Sequence, residues 1–227
     1  MKLACLFSGG KDSNFALFKA SKNHEIKCLI TMLSKNEDSY MFQTPGVNFA
    51  KVQAECLEIP IIEFETKGEK EKELFELKEA IEFVKKKYGI EGIVTGAIKS
   101  TYQSSRIQKI CSELDLWCFN PLWQIDEEIY LRELLKNEFE IKIIAVASYP
   151  FDKRYLGKNI NESLKENLLE LKNKHQISAI GEGGEFESFV TNSPMFKKKI
   201  KIIESESKMD SENSGKLIIT KIEVKKK

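Results

Sequence analysis

The sequence predicts an α/β protein in which a parallel sheet with helices on both faces is followed by a smaller α/β unit. Three observations carry that prediction. Short apolar runs alternate with helical patterns from Lys2 to Phe119. The first run ends at Ser8-Gly9-Gly10 and passes directly into a helix. After Pro121-Leu122-Trp123 the rhythm changes.

In chain order, Lys2–Phe7 reads as the first strand, and Asp12–Lys22 follows as a helix with Phe15, Ala16, Leu17 and Phe18 in an amphipathic pattern. Strands at Ile26–Leu33, Ile61–Phe64, Gly92–Thr95 and Leu116–Phe119 alternate with helices at Val47–Leu57, Glu69–Tyr88 and Tyr102–Leu114. Parallel sheets of this kind bind ligands beyond the carboxyl ends of the strands, where strand order reverses. The loops Ser8–Ser13 and Gly96–Ser100 both leave such ends and are expected to face one another. Further on, Glu127–Asn137 reads as a helix and Ile141–Ser148 as a buried strand. Asn161–Lys174 is an amphipathic helix, with Asn161 as its cap and Leu164, Leu168 and Leu171 on one face. The glycine-rich stretch Gly181–Ser188 comes next. Two strands, Lys199–Ser205 and Lys216–Lys225, close the chain, joined by a polar hairpin loop or mobile segment at Ser207–Ser214. The boundary falls near Pro121–Asp126 and divides the chain into residues 1–123 and 124–227.

A chain of 227 residues holds one large domain or two small ones with a real core. Basic and acidic residues balance at 36 and 35, so no global field steers it to nucleic acid and no direct nucleic-acid contact is expected. The runs Lys85–Lys87, Lys197–Lys199 and Lys225–Lys227 read as solvated faces and a loose tail. His24 and His175 are expected at the surface, and Met32 in the core. No apolar stretch approaches the ~20 residues that cross a bilayer, and Ser8-Gly9-Gly10 interrupts the first apolar run too early for a secretory signal. No membrane contact is expected. Cys5, Cys28, Cys56, Cys111 and Cys118 are scattered without a Cys-x-x-Cys pair, which argues against a disulfide framework and a zinc site. They read as small buried hydrophobes in a reducing compartment, so a cytoplasmic location is expected.

The chemistry begins at Ser8-Gly9-Gly10-Lys11-Asp12-Ser13. Two glycines let the backbone turn sharply with its N–H groups inward, and the helix start adds free donors and partial positive charge. Lys11 adds a full charge, while Asp12 and Ser13 can cap the helix or help hold a metal ion. Such a loop cradles phosphates. The adjacent glycines exclude the Walker A spacing and the three-glycine dinucleotide fingerprint.

This loop resembles the Ser-Gly-Gly-x-Asp-Ser loop of the ATP pyrophosphatases, or PP-loop enzymes, which cleave ATP between the α- and β-phosphates and activate an oxygen as an adenylate. Further stretches narrow the resemblance: Glu37–Pro45, Gly96–Gln103 with Arg106, Pro121-Leu122-Trp123, and Gly181-Glu182-Gly183-Gly184-Glu185-Phe186-Glu187-Ser188. Together they resemble the diphthine–ammonia ligase family from the first residues to about Lys199. The resemblance implies a Rossmann-like HUP domain over residues 1–123 and a smaller family-specific domain over 124–227 that contributes to the substrate site. It implies amidation of diphthine, a modified histidine on translation elongation factor 2, with ATP, Mg²⁺ and ammonium. Two positions depart from the family pattern: Gln43 stands where histidine is common, and Asn192 where aspartate is usual.

On this resemblance Ser8, Gly9, Gly10, Lys11, Asp12, Ser13, Gly96 and Arg106 bind ATP, with Asp12 either a metal ligand or a helix cap. Arg106 is a phosphate contact or an exposed helix residue, and Ser100, Tyr102 and Gln103 orient ATP or substrate. Tyr102 equally suits packing. Lys11, Asp12, Glu182 and Glu185 are the candidate catalytic residues; Gly183, Gly184, Glu185 and Glu187 are candidate substrate contacts. Ammonium and the trimethylammonium group of diphthine are both cations. The acidic glycine loop therefore receives one of them, with Phe186, Trp117 and Trp123 as a candidate aromatic wall, or else is a structural turn whose glutamates cap the backbone. Two alternatives stand beside the ligase: a PP-loop tRNA-modifying enzyme, for which only Cys111 and Cys118 are moderately close, and a non-catalytic nucleotide sensor.

Overall fold

A computed structural model describes residues 1–34, 49–67, 69 and 72–227. The Glu37–Pro45 segment with Gln43, and the start of the expected Val47–Leu57 helix, lie outside the described residues. The chain divides into two compact units, Met1–Gln124 and Ile125–Lys227.

The first unit is a five-stranded sheet, β1 (Lys2–Leu6), β2 (Glu25–Ser34), β3 (Ile61–Thr66), β4 (Gly92–Val94) and β5 (Trp117–Phe119), in the order β3-β2-β1-β4-β5. Every neighbouring pair is parallel. Helices α1 (Lys11–Ser21), α2 (Ala50–Leu57), α3 (Lys72–Tyr88) and α4 (Thr101–Glu113) make the connections. Leu3, Ala4 and Cys5 are all buried although successive strand side chains point to opposite faces, so both faces of the sheet are covered. One face packs Ala4, Cys28, Ile30, Met32 and Ile93 against Leu77, Ile81 and Val84 of α3 and Ile107 and Ile110 of α4. Each large apolar side chain buried this way contributes roughly 1.5–3 kcal/mol. Strand order reverses between β1 and β4, and the crevice beyond their carboxyl ends is where this architecture takes ligands.

The second unit is a four-stranded antiparallel sheet in the order β7-β6-β9-β8, built from β6 (Glu140–Val146), β7 (Phe186–Asn192), β8 (Lys198–Ser211) and β9 (Ser214–Lys226). Helices α5 (Glu127–Lys136) and α6 (Glu162–His175) accompany it. Asp126 caps α5, accepting the Glu128 and Ile129 amides at 3.0 Å each. Asn161 caps α6, accepting the Leu164 amide at 2.9 Å, as its sequence position predicts. Leu164 and Leu168 are buried beneath it and Leu171 is half-buried.

Four expectations need correction. Phe186–Ser188 belongs to β7 rather than to a loop; the glycines just before it mask the apolar run that β7 continues. The Ser207–Ser214 stretch is mostly strand, and Ser211 pairs with Ser214 around a two-residue turn at Glu212 and Asn213. Its polar composition hides it because this ribbon is wet on both sides, where hydrophobic alternation has no work to do. The lysine-rich end is no loose tail: Lys198 and Lys199 pair with Lys226 and Lys225, and Lys227 Nζ donates to Ser193 O at 2.6 Å. His24 is half-buried, its ring 5.1 Å from that of Phe119. His175 is half-buried too, edge-on to Tyr149 at 5.1 Å.

Candidate functional site

Two loops carry the candidate chemistry, one in each unit, and their hydrogen-bond patterns are opposite in kind. In the first unit the end of β1 is tied to β2: Phe7 N donates to Ile30 O at 2.8 Å, and Thr31 Oγ1 donates to Phe7 O at 2.7 Å. The loop then closes on itself. Ser8 N donates to Ser13 Oγ at 3.3 Å, Gly10 N to Ser8 Oγ at 3.4 Å, and Ser13 Oγ to Gly10 O at 3.1 Å. Gly9 has φ +81°, and a Cβ there would stand 2.5 Å from Gln53 Oε1. Only glycine fits both demands. From α2, fully buried Gln53 donates through Nε2 to Gly9 O at 2.9 Å and holds the loop from outside.

Gly10 is the N-cap of α1, and no side chain caps the helix. The Gly9 and Ser13 amides make no hydrogen bond among the described residues. Lys11 is 3 % exposed, and its ammonium meets Asp12 Oδ1 and Oδ2 at 3.0 and 2.9 Å. A lysine this deep requires a negative partner, and Asp12 supplies it. The result is a donor-rich pocket wall at a helix start: open amides, a dipole end and a fixed cation.

Gly96 follows β4 and completes the crevice. A Cβ on it would lie 2.9 Å from both Asp12 C and Ser13 N, so the β4 exit and the start of α1 touch backbone to backbone. The two loops expected to face one another do so. Beyond Gly96, Thr95 Oγ1 donates to Asn120 Oδ1 at 2.8 Å and Asn120 Nδ2 donates to Ser104 Oγ at 3.1 Å, which braces the same edge. Ser100 caps α4 by accepting the Gln103 amide at 3.3 Å. The Arg106 guanidinium carbon lies 3.5 Å from the Tyr102 ring centroid, a stacked cation–π pair that fixes the fork's plane. Trp117 opens β5 at the amino end of the sheet, the edge opposite the crevice.

The acceptor-type loop of the second unit runs from Ser178 to Glu185. Glu185 Oε1 accepts the Ser178 amide at 2.8 Å and Oε2 accepts the Gly183 amide at 2.9 Å. Ser178 Oγ accepts the Ile180 amide at 3.3 Å and the Glu182 amide at 3.2 Å. The Ala179 amide donates to Glu127 Oε2 at 3.0 Å, the Gly181 amide to Ser178 O at 3.3 Å, and the Gly184 amide to Gly181 O at 3.1 Å. Every amide from 178 to 184 is therefore occupied from within. Gly181, at φ +77°, lies so close to β7 that a Cβ would reach 2.7 Å from Phe186 O. The Gly183 and Gly184 carbonyls accept no hydrogen bond among the described residues and belong to exposed glycines. With its amide donors consumed, this loop offers a ligand backbone acceptors rather than donors.

The glutamates of the loop differ in placement. Glu185 is buried, with both oxygens on backbone amides, and builds the turn. Glu182 and Glu187 are half-buried, and Glu187 stands in β7. Phe186 is 3 % exposed and packs on Phe151 at 5.4 Å, so it belongs to the core and not to an aromatic wall. Asn192 Nδ2 donates to Glu140 Oε1 at 3.3 Å, so a neighbouring glutamate supplies charge at the departed position. Sequence reasoning missed Gln53, Asn120, Glu127 and Ser178. Gln53, Asn120 and Glu127 act on segments distant along the chain, and Ser178 gains its role only when Glu127 meets it in space, so no local pattern marks any of them.

Cys111 and Cys118 are paired: a thiol hydrogen bond between them pushes Cys111 up, with burial adding to it, and holds Cys118 below its usual range. Cys111 lies in the core under α4, which is a poor place for a nucleophile. Among the described residues no three His, Cys, Asp or Glu side chains gather as a metal cage. Among them, too, no helix is long and apolar enough to cross a membrane.

A glycine-turned, donor-lined loop thus stands at the switch point of a parallel α/β sheet, the place where this architecture takes ligands. Comparison with known proteins is narrower. Residues 1–117 match the diphthamide synthase N-terminal domain and residues 126–224 the diphthamide synthase C-terminal domain. A diphthine–ammonia ligase of Rattus norvegicus is 35% identical over 231 residues, 93% of this chain and 86% of that one. Its Homo sapiens counterpart is 34% identical over 226 residues, 91% and 84% of the two chains. The Schizosaccharomyces pombe enzyme of that name is 32% identical over 98% of this chain, which spans 39% of its length. The chain belongs to the diphthine–ammonia ligase family. A solved chain described as a predicted subunit of tRNA methyltransferase from Methanocaldococcus jannaschii aligns over 86% of this chain at TM-score 0.46 and 16% identity, a likeness too slight to weigh.

Proposed function

We propose that the protein amidates diphthine on translation elongation factor 2, consuming ATP and ammonium and releasing AMP and pyrophosphate in the cytoplasm. The observation that carries this is the contrast between the two loops, donor-lined at α1 and acceptor-lined at Ser178–Glu185, which match a polyphosphate and a cation respectively. Membership of the family supplies the substrate's identity.

The diphthine carboxylate is ionised at neutral pH, so its attack on the α-phosphorus needs no general base. It needs alignment and relief of repulsion between two anions. Lys11, the Gly9 and Ser13 amides and the start of α1 supply both, and pyrophosphate leaves with the broken bond's electrons. Arg106, its plane set by Tyr102, is the second cation for the phosphates, and Ser100 and Gln103 frame the same edge. Asp12 is the residue that would hold Mg²⁺, whose chemistry when bound is neutralisation of phosphate charge. A polyphosphate arriving at Lys11 replaces Asp12 as its counter-ion and releases that carboxylate. In the second half-reaction ammonia attacks the acyl carbon of the adenylate, AMP departs, and one proton is lost. Glu182, with the Gly183 and Gly184 carbonyls and Glu187, receives the cation, either ammonium or the trimethylammonium group. Glu185 holds the loop that does so.

The decisive assay combines the protein with ATP, Mg²⁺, ammonium and diphthine-bearing elongation factor 2. AMP, pyrophosphate and a new amide in equal amounts are expected. AMP formed without the factor, on a tRNA instead, overturns the assignment, and so does ATP binding without pyrophosphate release. Asp12→Asn is expected to raise the Mg²⁺ concentration for half-maximal rate about tenfold, the scale of one charged contact. An unchanged Mg²⁺ titration assigns Asp12 to the Lys11 pair alone.

A further inference from the structure

We infer that Glu127 is a positioning residue for this reaction: from the first turn of α5 it holds the Ser178–Gly184 turn in its cation-receiving shape. The inference rests on the proposed role of that turn. Glu127 is 3 % exposed, an unusual depth for a carboxylate. Its Oε2 accepts the Ala179 amide at 3.0 Å and faces Lys172 Nζ of α6 at 3.2 Å, while Oε1 accepts the Ser178 hydroxyl at 3.4 Å. Lys172 provides the counter-charge that a buried carboxylate requires.

The Ser178 hydroxyl is the hub. It has one proton and two lone pairs. Glu127 takes the proton, which aims both lone pairs at the Ile180 and Glu182 amides. Glu127 thus governs amides that it does not touch, and through them the orientation of the carbonyls that follow. Together with Glu185 it places two buried carboxylates on the inner side of one turn, 58 positions apart along the chain (127 and 185). The negative charge inside keeps the donors turned in and the acceptors turned out.

A glutamine at 127 cannot reproduce this. If its NH₂ faces Ser178 Oγ, it meets a hydroxyl whose lone pairs are already taken. If it faces the Ala179 amide, donor meets donor. One inward bond is lost in either orientation, and Lys172 loses its counter-charge.

The test compares full-length wild type and Glu127→Gln, following AMP release in separate titrations of ATP, ammonium and the diphthine-bearing factor. The KM for one of the two cationic substrates is expected to rise about tenfold or more, with the KM for ATP within about twofold, as loss of one charged hydrogen bond requires. A rise in the ammonium titration identifies ammonium as the loop's ligand, and a rise in the protein titration identifies the methylated amine. Equal changes in all three constants, or a fall in rate with none of them moved, overturn the positioning role. If Glu127→Gln fails to fold, Lys172→Met perturbs the same carboxylate from a partly exposed position, and the same split is expected; its absence overturns the inference. A wild-type protein that releases no AMP in response to ammonium and the factor overturns the underlying function instead, and the inference with it.

Discussion

Replacing Lys11 with Met is expected to slow pyrophosphate release roughly 10²–10³-fold, the cost of removing one preorganised charged donor from a developing transition state. The methionine stem fills the space that the lysine stem occupies, so the loop keeps its packing. Asp12 loses its counter-ion, but its side chain is 29% exposed and regains water. Folding stability is therefore expected to fall by well under the roughly 3–5 kcal/mol that an uncompensated buried charge costs. Rate and melting temperature measured on one preparation separate the two effects. A rate within threefold of wild type would mean that Lys11 serves only to neutralise Asp12.

Gly96→Ala is the second large effect, and it acts through backbone alone. The new methyl would sit 2.9 Å from Asp12 C and Ser13 N and 3.1 Å from Asp12 O. None of these atoms can rotate away, so the β4 exit must move back from α1 and widen the crevice. Overpacking of this kind costs roughly 1–3 kcal/mol. A drop of several degrees in melting temperature is expected, together with at least about a tenfold rise in the KM for ATP. Gly89→Ala is the comparison. Its φ of +59° makes any side chain strained, yet nothing lies within 4 Å of the added methyl. It is expected to lose about 1 kcal/mol of stability and to leave the ATP titration unchanged. Equal KM values in the two variants would show that the crevice tolerates displacement of Gly96.

Much of this fold was legible because its signals are local. The run from Lys2 to Ser13 encodes strand, turn and helix start in consecutive residues, and Asn161 announces the helix that it caps. The alternation of apolar runs and helical patterns fixes a parallel sheet, and with it the edge at which ligands bind. The misses share a cause as well. β7 was hidden by the glycines before it, and the β8–β9 ribbon by a polar composition that suits strands exposed on both sides. Phe186 reads in sequence like a residue of an exposed loop, yet Phe151 buries it.

The sequence by itself determined the turn at Ser8–Ser13 and the donors that the turn exposes, since six consecutive residues contain both. Only the tertiary structure decided which groups close off the competing hydrogen bonds. Gln53 reaches Gly9 from 44 residues away, Glu127 reaches Ala179 from 52, and together with Glu185 these contacts leave one loop rich in donors and the other empty of them. Every buried amide must find an acceptor. Which acceptor it finds depends on distances in space, and packing sets those distances.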